Sequence, residues 1–324
     1  MVTNFHRKSS VVWRWMAVCL LAVVIAAPME TAAQTTFSRI VVFGDSLSDP
    51  GNDFALINTQ NTPPYNNIDP VTVIPHAPYA KGGHHYSNGA TWVEQFAKLR
   101  GLAQYVTPAW KSAGTKAANY AVGGGRAYDD GINVNLTDQV EEFLADVGGQ
   151  APSDALYVLE FGGNDTRDIL ANPTPENTED IISKAATSIA QNISTLWQHG
   201  ARKFLVWNIP DLGKTPAIQT MGAQQAVSGL LYYFFNPAID SALSQVSQLP
   251  LIEIKRFDAF LIVNEIVAHP GAYGLEVVDA ACVTPKVPPF NCKEPDEYLF
   301  WDGIHPTKAV HGILAQEVAE LLAQ

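Results

Sequence analysis

A mostly parallel α/β sheet covered by helices on both faces is the fold this sequence predicts. Short segments of strand character recur at 39–44, 155–161, 203–209 and 250–257, each closed by turn-forming residues. Longer segments with a helical apolar period separate them, at 136–147, 179–199, 216–247 and 258–268, and another closes the chain at about Leu322. Strands alternating with helices make parallel sheets with both faces buried. The 324 residues, 47% hydrophobic and 16% charged, show no repeat or linker, so one domain is expected.

The N-terminus stands apart. Arg7, Lys8 and Arg14 precede an apolar run from Met16 to Ala27, and Thr31-Ala32-Ala33 follows. A basic start, a short apolar core and a small-residue exit describe a secretory signal peptide, with the cut placed after Ala33. The run is shorter than the ~20 residues of a membrane span; an uncleaved anchor is the alternative. The reading is a signal peptide over 1–33, one domain over 34–324, a secreted or periplasmic product, and no stable span in the mature form. The chain carries −12; residues 1–33 hold three basic side chains against Glu30, net +2, so the remainder carries −14. So acidic a surface argues against nucleic acid as a partner. Cys19 leaves with the signal. Cys282 and Cys292 remain, and an even pair in an exported protein points to a disulfide. No His/Cys spacing beside them fits zinc.

The first strand, Arg39 to Gly44, runs into Asp45-Ser46-Leu47-Ser48-Asp49-Pro50-Gly51-Asn52. Ligands of open α/β sheets bind at the carboxyl ends of the strands, so Ser46 stands where a reactive hydroxyl would be placed. Asp45 and Asp49 are suited to bonding local amides. Residues 53–90 hold five prolines and are too long for a plain connection; they are expected to form a lid or cleft wall. His84-His85 within them lack a carboxylate at a helpful spacing, so no metal is assigned. Trp92, Phe96 and Leu99 form a core-facing helical stripe.

A short strand at 117–122 enters the turn Gly123-Gly124-Gly125, whose amides a ligand can approach closely. It fails as a dinucleotide fingerprint because position 128 is Tyr128. The strand at 155–161 ends in the turn Gly162-Gly163-Asn164-Asp165, which puts an amide side chain on the same sheet edge as Ser46; Asp165 braces the turn. Near the C-terminus, Asp302 precedes His305 by three residues in a short turn. A serine hydroxyl needs a base, and the base an orienting partner. Histidine titrates near neutrality, and Asp302 is close enough to hold its Nδ1–H, leaving Nε2 for Ser46.

Phe43–Asn52, Ala117–Arg126, Gly162–Asp165 and Tyr298–Thr307 resemble, in that order, the first, second, third and fifth blocks of the GDSL, or SGNH, hydrolase family. The resemblance spans nearly all of residues 34–324. It implies a three-layer α/β/α sandwich of flavodoxin-like type, with Ser46 as nucleophile and Asp302 and His305 completing the triad. It implies an oxyanion hole of the Ser46 amide, the Gly124 amide and the Asn164 side chain; by register Gly123 stays open as the alternative to Gly124. It implies an acyl-enzyme and neither metal nor organic cofactor. Tyr86–Glu94 resembles a segment of secreted bacterial lipolytic members. The substrate expected is therefore a small-molecule or lipid ester, for a lipase, phospholipase or acyltransferase, with Leu47, Phe300 and Trp301 as candidates for an acyl pocket. A carbohydrate acetyl-esterase is the runner-up, and a catalytically silent binding or adhesion protein the reading from another class.

Overall fold

A computed structural model describes Met1 and residues 36–111 and 116–324. The signal-peptide reading, Cys19 included, falls outside the described residues apart from Met1. From residue 36 onward these belong to one compact unit.

Four parallel strands, β1 (Arg39–Gly44), β2 (Ala155–Glu160), β3 (Lys203–Trp207) and β4 (Glu253–Phe257), pair in the order β1-β2-β3-β4. The stretch at 117–122 runs along the free side of β1, where Val42 N–H donates to Ala118 O and Tyr120 N–H donates to Val42 O. It joins only through an isolated parallel bridge at Asn119, not as the regular strand expected. With it the spatial order reverses at β1, and that reversal opens a crevice at the carboxyl end of the strand.

Side chains alternate along each strand, and the core divides accordingly. Val41, Phe43, Tyr157, Leu159, Phe204 and Val206 face one layer; Ile40, Val42, Leu156, Val158, Leu205 and Trp207 face the other. The first layer is built by α3 (Leu136–Asp146), α5 (Pro175–Gln198), α7 (Gln224–Leu230) and α8 (Asn236–Val246), with α4 (Gly163–Ala171) and α6 (Pro216–Thr220) beside it. The second is built by α2 (Trp92–Leu99), α9 (Ala259–Ala268) and α10 (Lys308–Leu321). This is the three-layer arrangement expected. Within α2, Trp92 and Phe96 are fully buried but Leu99 is 62% exposed. Its place as the last residue of α2 leaves it beyond the packed layer, and the stripe stops at Phe96. The 216–247 region breaks into α6, α7, a five-residue π turn at Leu231–Phe235 and α8.

A third cluster lies outside the sheet. The short strands β5 (Val277–Ala281) and β6 (Tyr298–Phe300) pair in parallel, and Tyr65, Ile68, Tyr79, Cys282, Val283 and Trp301 pack beside them. Cys282 and Cys292 are joined by a disulfide. Trp301 belongs to this cluster and Phe300 to the second layer, so both are packing residues and not pocket lining. Replacing both cysteines by alanine should lower stability by roughly 2–3 kcal/mol, the loop-closure entropy of so short a ring, read as a drop in the unfolding midpoint. An unchanged midpoint would mean the cystine adds nothing to the cluster.

Residues 53–90 begin with α1 (Asn52–Ile57) and then fold as turns against the third cluster. Gly303 N–H donates to Val73 O, and a Cβ at Gly303 would lie 1.8 Å from Thr72 O. The segment is a packed cleft wall.

Candidate active site

Each site segment hangs from a fixed point of this scaffold. The last residue of β1, Gly44, has its N–H and C=O both taken by the Gln139 side-chain amide of α3 at 2.9 Å. A Cβ at Gly44 would stand 3.0 Å from Ser48 Cβ and 3.2 Å from Glu160 O, so only glycine fits without displacement. The turn that follows is held by its own carboxylates. Asp45 Oδ1 accepts from Leu47 N–H at 3.0 Å. Buried Asp49 accepts from the N–H groups of Gly51, Asn52 and Asp53, and from Gly123 across the crevice at 2.9 Å. Burial pushes Asp49 up to about 6 against the donors of Gly123, Asp53 and Gly51.

Ser46 emerges half-buried, with its Oγ 2.8 Å from His305 Nε2. His305 Nδ1 lies 2.8 and 3.0 Å from the two Asp302 oxygens. Asp302 is completely buried. It also accepts from the backbone N–H of Ile304 and of His305, and from the Tyr79 hydroxyl at 3.0 Å. Tyr79 comes from the cleft wall, 223 residues away in sequence, and nothing in the sequence pattern marks it.

The glycine turn separates its two candidate amides. Gly123 N–H is spent on Asp49, whereas the N–H groups of Gly124 and of Ser46 meet no protein acceptor among the described residues. Gly124 has φ +82°, a conformation that favours glycine. Its carbonyl accepts from Arg126 Nη1, and Arg126 is tied to Asp168 of α4 at 2.9 Å and to Asp130 at 3.2 Å. Asp165, expected to brace its own turn, braces instead the backbone just after the glycines, accepting from Ala127 N–H at 3.1 Å and Tyr128 N–H at 3.3 Å.

The turn predicted at 162–165 is instead the start of α4, and Asn164 lies in its first helical turn. Gly162, at φ +113°, makes the corner, where a Cβ would meet Ile209 at 2.5 Å. Asn164 Nδ2 donates to Gly125 O at 3.0 Å and, more weakly, to Asp45 Oδ2 at 3.3 Å. Beneath Asp45 sits Glu160, the last residue of β2, also buried and receiving the Ser48 hydroxyl at 3.0 Å. Burial, then the neighbouring charge of Asp45, raises Glu160 well above the usual carboxyl range; Asp45 itself is raised to about 6.

Ser46, Asn164 and His305 open onto a cavity of about 280 Å³. Its other walls are largely aliphatic: Leu47, Ile74, Leu170, Leu212, Ile218 and Met221 among them. Of the three apolar residues expected there, Leu47 lines it. His84 and His85 diverge. His84 stacks on Phe54, while His85 Nε2 meets Glu94 of α2 at 2.8 Å, a carboxylate that sequence spacing does not reveal. Among the described residues no group of three or more His, Cys, Asp or Glu side chains could hold a metal ion, and no helix is long and apolar enough to cross a membrane.

A family model described as GDSL-like lipase/acylhydrolase matches residues 40–318. A GDSL esterase/lipase of Arabidopsis thaliana is 27% identical, covering 87% of this chain and 85% of its own. A phosphatidylcholine-sterol acyltransferase of Aeromonas hydrophila is 25% identical, covering 95% and 97%. Among solved structures, the acetylxylan esterase Axe2 of Geobacillus stearothermophilus aligns over 89% of this chain and 96% of its own, with 12% identity and a TM-score of 0.47.

Proposed function

The chain belongs to the GDSL-like lipase/acylhydrolase family and is a serine ester hydrolase, and on that premise we propose which residues do the chemistry and on what. Ser46 is the nucleophile, His305 the general base and Asp302 its orienting acid. The observation that carries this is the unbroken series of 2.8 Å contacts from Ser46 Oγ through His305 to Asp302. His305 takes the hydroxyl proton as Oγ attacks the ester carbonyl, then returns it to the leaving alcohol. Water repeats the cycle on the acyl-enzyme. The oxyanion is received by the Ser46 and Gly124 amides and by Asn164 Nδ2, which trades its long contact with Asp45 for the developing charge. Such donors tighten only as charge forms.

The substrate is an aliphatic acyl ester, of the lipase or phospholipase kind. The aliphatic walls beside Ser46 support this over the acetyl-sugar reading, since an acetyl group would leave them empty. Transfer of the acyl group to an alcohol uses the same acyl-enzyme. The product is exported as one domain over 34–324 after loss of residues 1–33; the basic and apolar start of the chain and the disulfide both fit an oxidising compartment.

A chain-length series of p-nitrophenyl esters tests the acyl reading. Each methylene that enters the cavity contributes about 0.8 kcal/mol, or about fourfold in kcat/KM. Activity should climb from acetate through at least hexanoate. If acetate is turned over fastest and activity falls with length, the acyl slot is wrong and the acetyl-esterase reading takes its place.

A further inference from the structure

Among the described residues Arg167 is the only lysine or arginine lining the cavity. It lies on α4, three residues after Asn164, and its Nη1 donates to Asn164 Oδ1 at 3.2 Å. The other end of that amide faces Gly125 O and Asp45 Oδ2. Among the described residues no carboxylate lies within ion-pairing distance of Arg167, whereas Arg126 holds two. Arg167 is exposed as a residue, yet the protein around its guanidinium, then the charge of Arg126, lowers its pKa from the ordinary guanidinium value.

The terminal torsion of an asparagine is broad and nearly two-fold. Left alone, the Asn164 amide could present oxygen or nitrogen to Ser46, and oxygen would repel an oxyanion. A cation at the oxygen end removes that choice. It also draws electron density toward Oδ1 and makes the N–H hydrogens better donors. Gly125 O and Asp45 Oδ2 accept at the nitrogen end and so favour the same orientation.

We propose that Arg167 is a positioning residue, whose guanidinium fixes the Asn164 amide with its nitrogen toward the nucleophile. The proposal rests on the oxyanion role given to Asn164 above. A guanidinium that instead bound an anionic group of the substrate would act on binding and not through Asn164, which makes the two separable.

The test is a double-mutant cycle with Arg167→Met, Asn164→Ala and both together, assayed on p-nitrophenyl hexanoate and on the p-nitrophenyl ester of a dicarboxylic acid of similar length. Arg167→Met should lower kcat on both esters by at least about tenfold, the size of one charge-assisted hydrogen bond, with KM little changed. In the Asn164→Ala background the same change should cost less than about twofold, because the group it acts on is gone. Arg167→Lys, which keeps a donor and a charge, should retain more activity than Arg167→Met. It also carries the cycle if Arg167→Met fails to give a cooperative thermal melt. A full tenfold loss persisting in the Asn164→Ala background overturns the proposal. So does a loss confined to KM for the anionic ester. An Asn164→Ala enzyme as fast as the parent would instead remove the oxyanion role itself.

Discussion

Changing Ser46 to alanine should reduce kcat on p-nitrophenyl esters by on the order of 10⁴–10⁶, leaving only what the amide donors and the cavity contribute. The fold should survive. Ser46 is half-buried, and among the described residues its hydroxyl bonds only to His305 Nε2, which lines the cavity, where water can replace the lost hydroxyl. The melting midpoint should move by no more than about 0.5 kcal/mol equivalent, the usual range for a change away from packed features. An active-site serine probe should label the parent at Ser46 and fail on the variant. Turnover retained in a folded Ser46→Ala protein would place the nucleophile elsewhere.

Asp302→Asn should be nearly as damaging, with a loss of about 10⁴ in kcat. The carboxylate receives four donors: His305 Nδ1, the N–H groups of Ile304 and His305, and the Tyr79 hydroxyl. An asparagine oxygen can keep the two backbone donors. Its NH₂ must then face Tyr79 and His305 Nδ1. That forces Nδ1 to accept and puts the imidazole hydrogen on Nε2, where it can no longer take a proton from Ser46. Among the described residues Asp302 is the only group bonded to His305 Nδ1, so no backbone carbonyl stands in. Comparing Asp302→Asn with His305→Ala across pH decides the point. A loss below about tenfold would show that another group sets the tautomer.

The residues legible in the sequence are those that announce themselves locally. Ser46 ends a β-branched strand, and Asp302 and His305 share one turn, so their meeting needs little tertiary information. The choice between Gly123 and Gly124 was not legible, because it depends on Asp49 reaching 74 residues along the chain to claim one amide. Tyr79, Glu160 and Arg167 carried no signal either. Tyr79 lies in a turn-rich segment, Glu160 in a strand otherwise apolar, and Arg167 in a helix whose opening glycines and Asn164-Asp165 read as a turn. Each acquires its place from a partner distant in sequence or from packing around α4. Leu99 erred the other way: its spacing is right for a buried face, but the layer ends before it.

The two halves of the catalytic assembly rest on different foundations. Ser46 and Asn164 follow adjacent strands of the main sheet, while Asp302 and His305 follow β6, which pairs with β5 beside the small cystine-linked cluster. Register between hydroxyl and imidazole is thus a property of how the small cluster seats against the sheet. Partial detachment of the lesser core, by heat or by a thiol reductant, would silence the enzyme while its backbone spectrum stayed native. Inactivation would then run ahead of global melting, and activity would be the more sensitive gauge of the folded state.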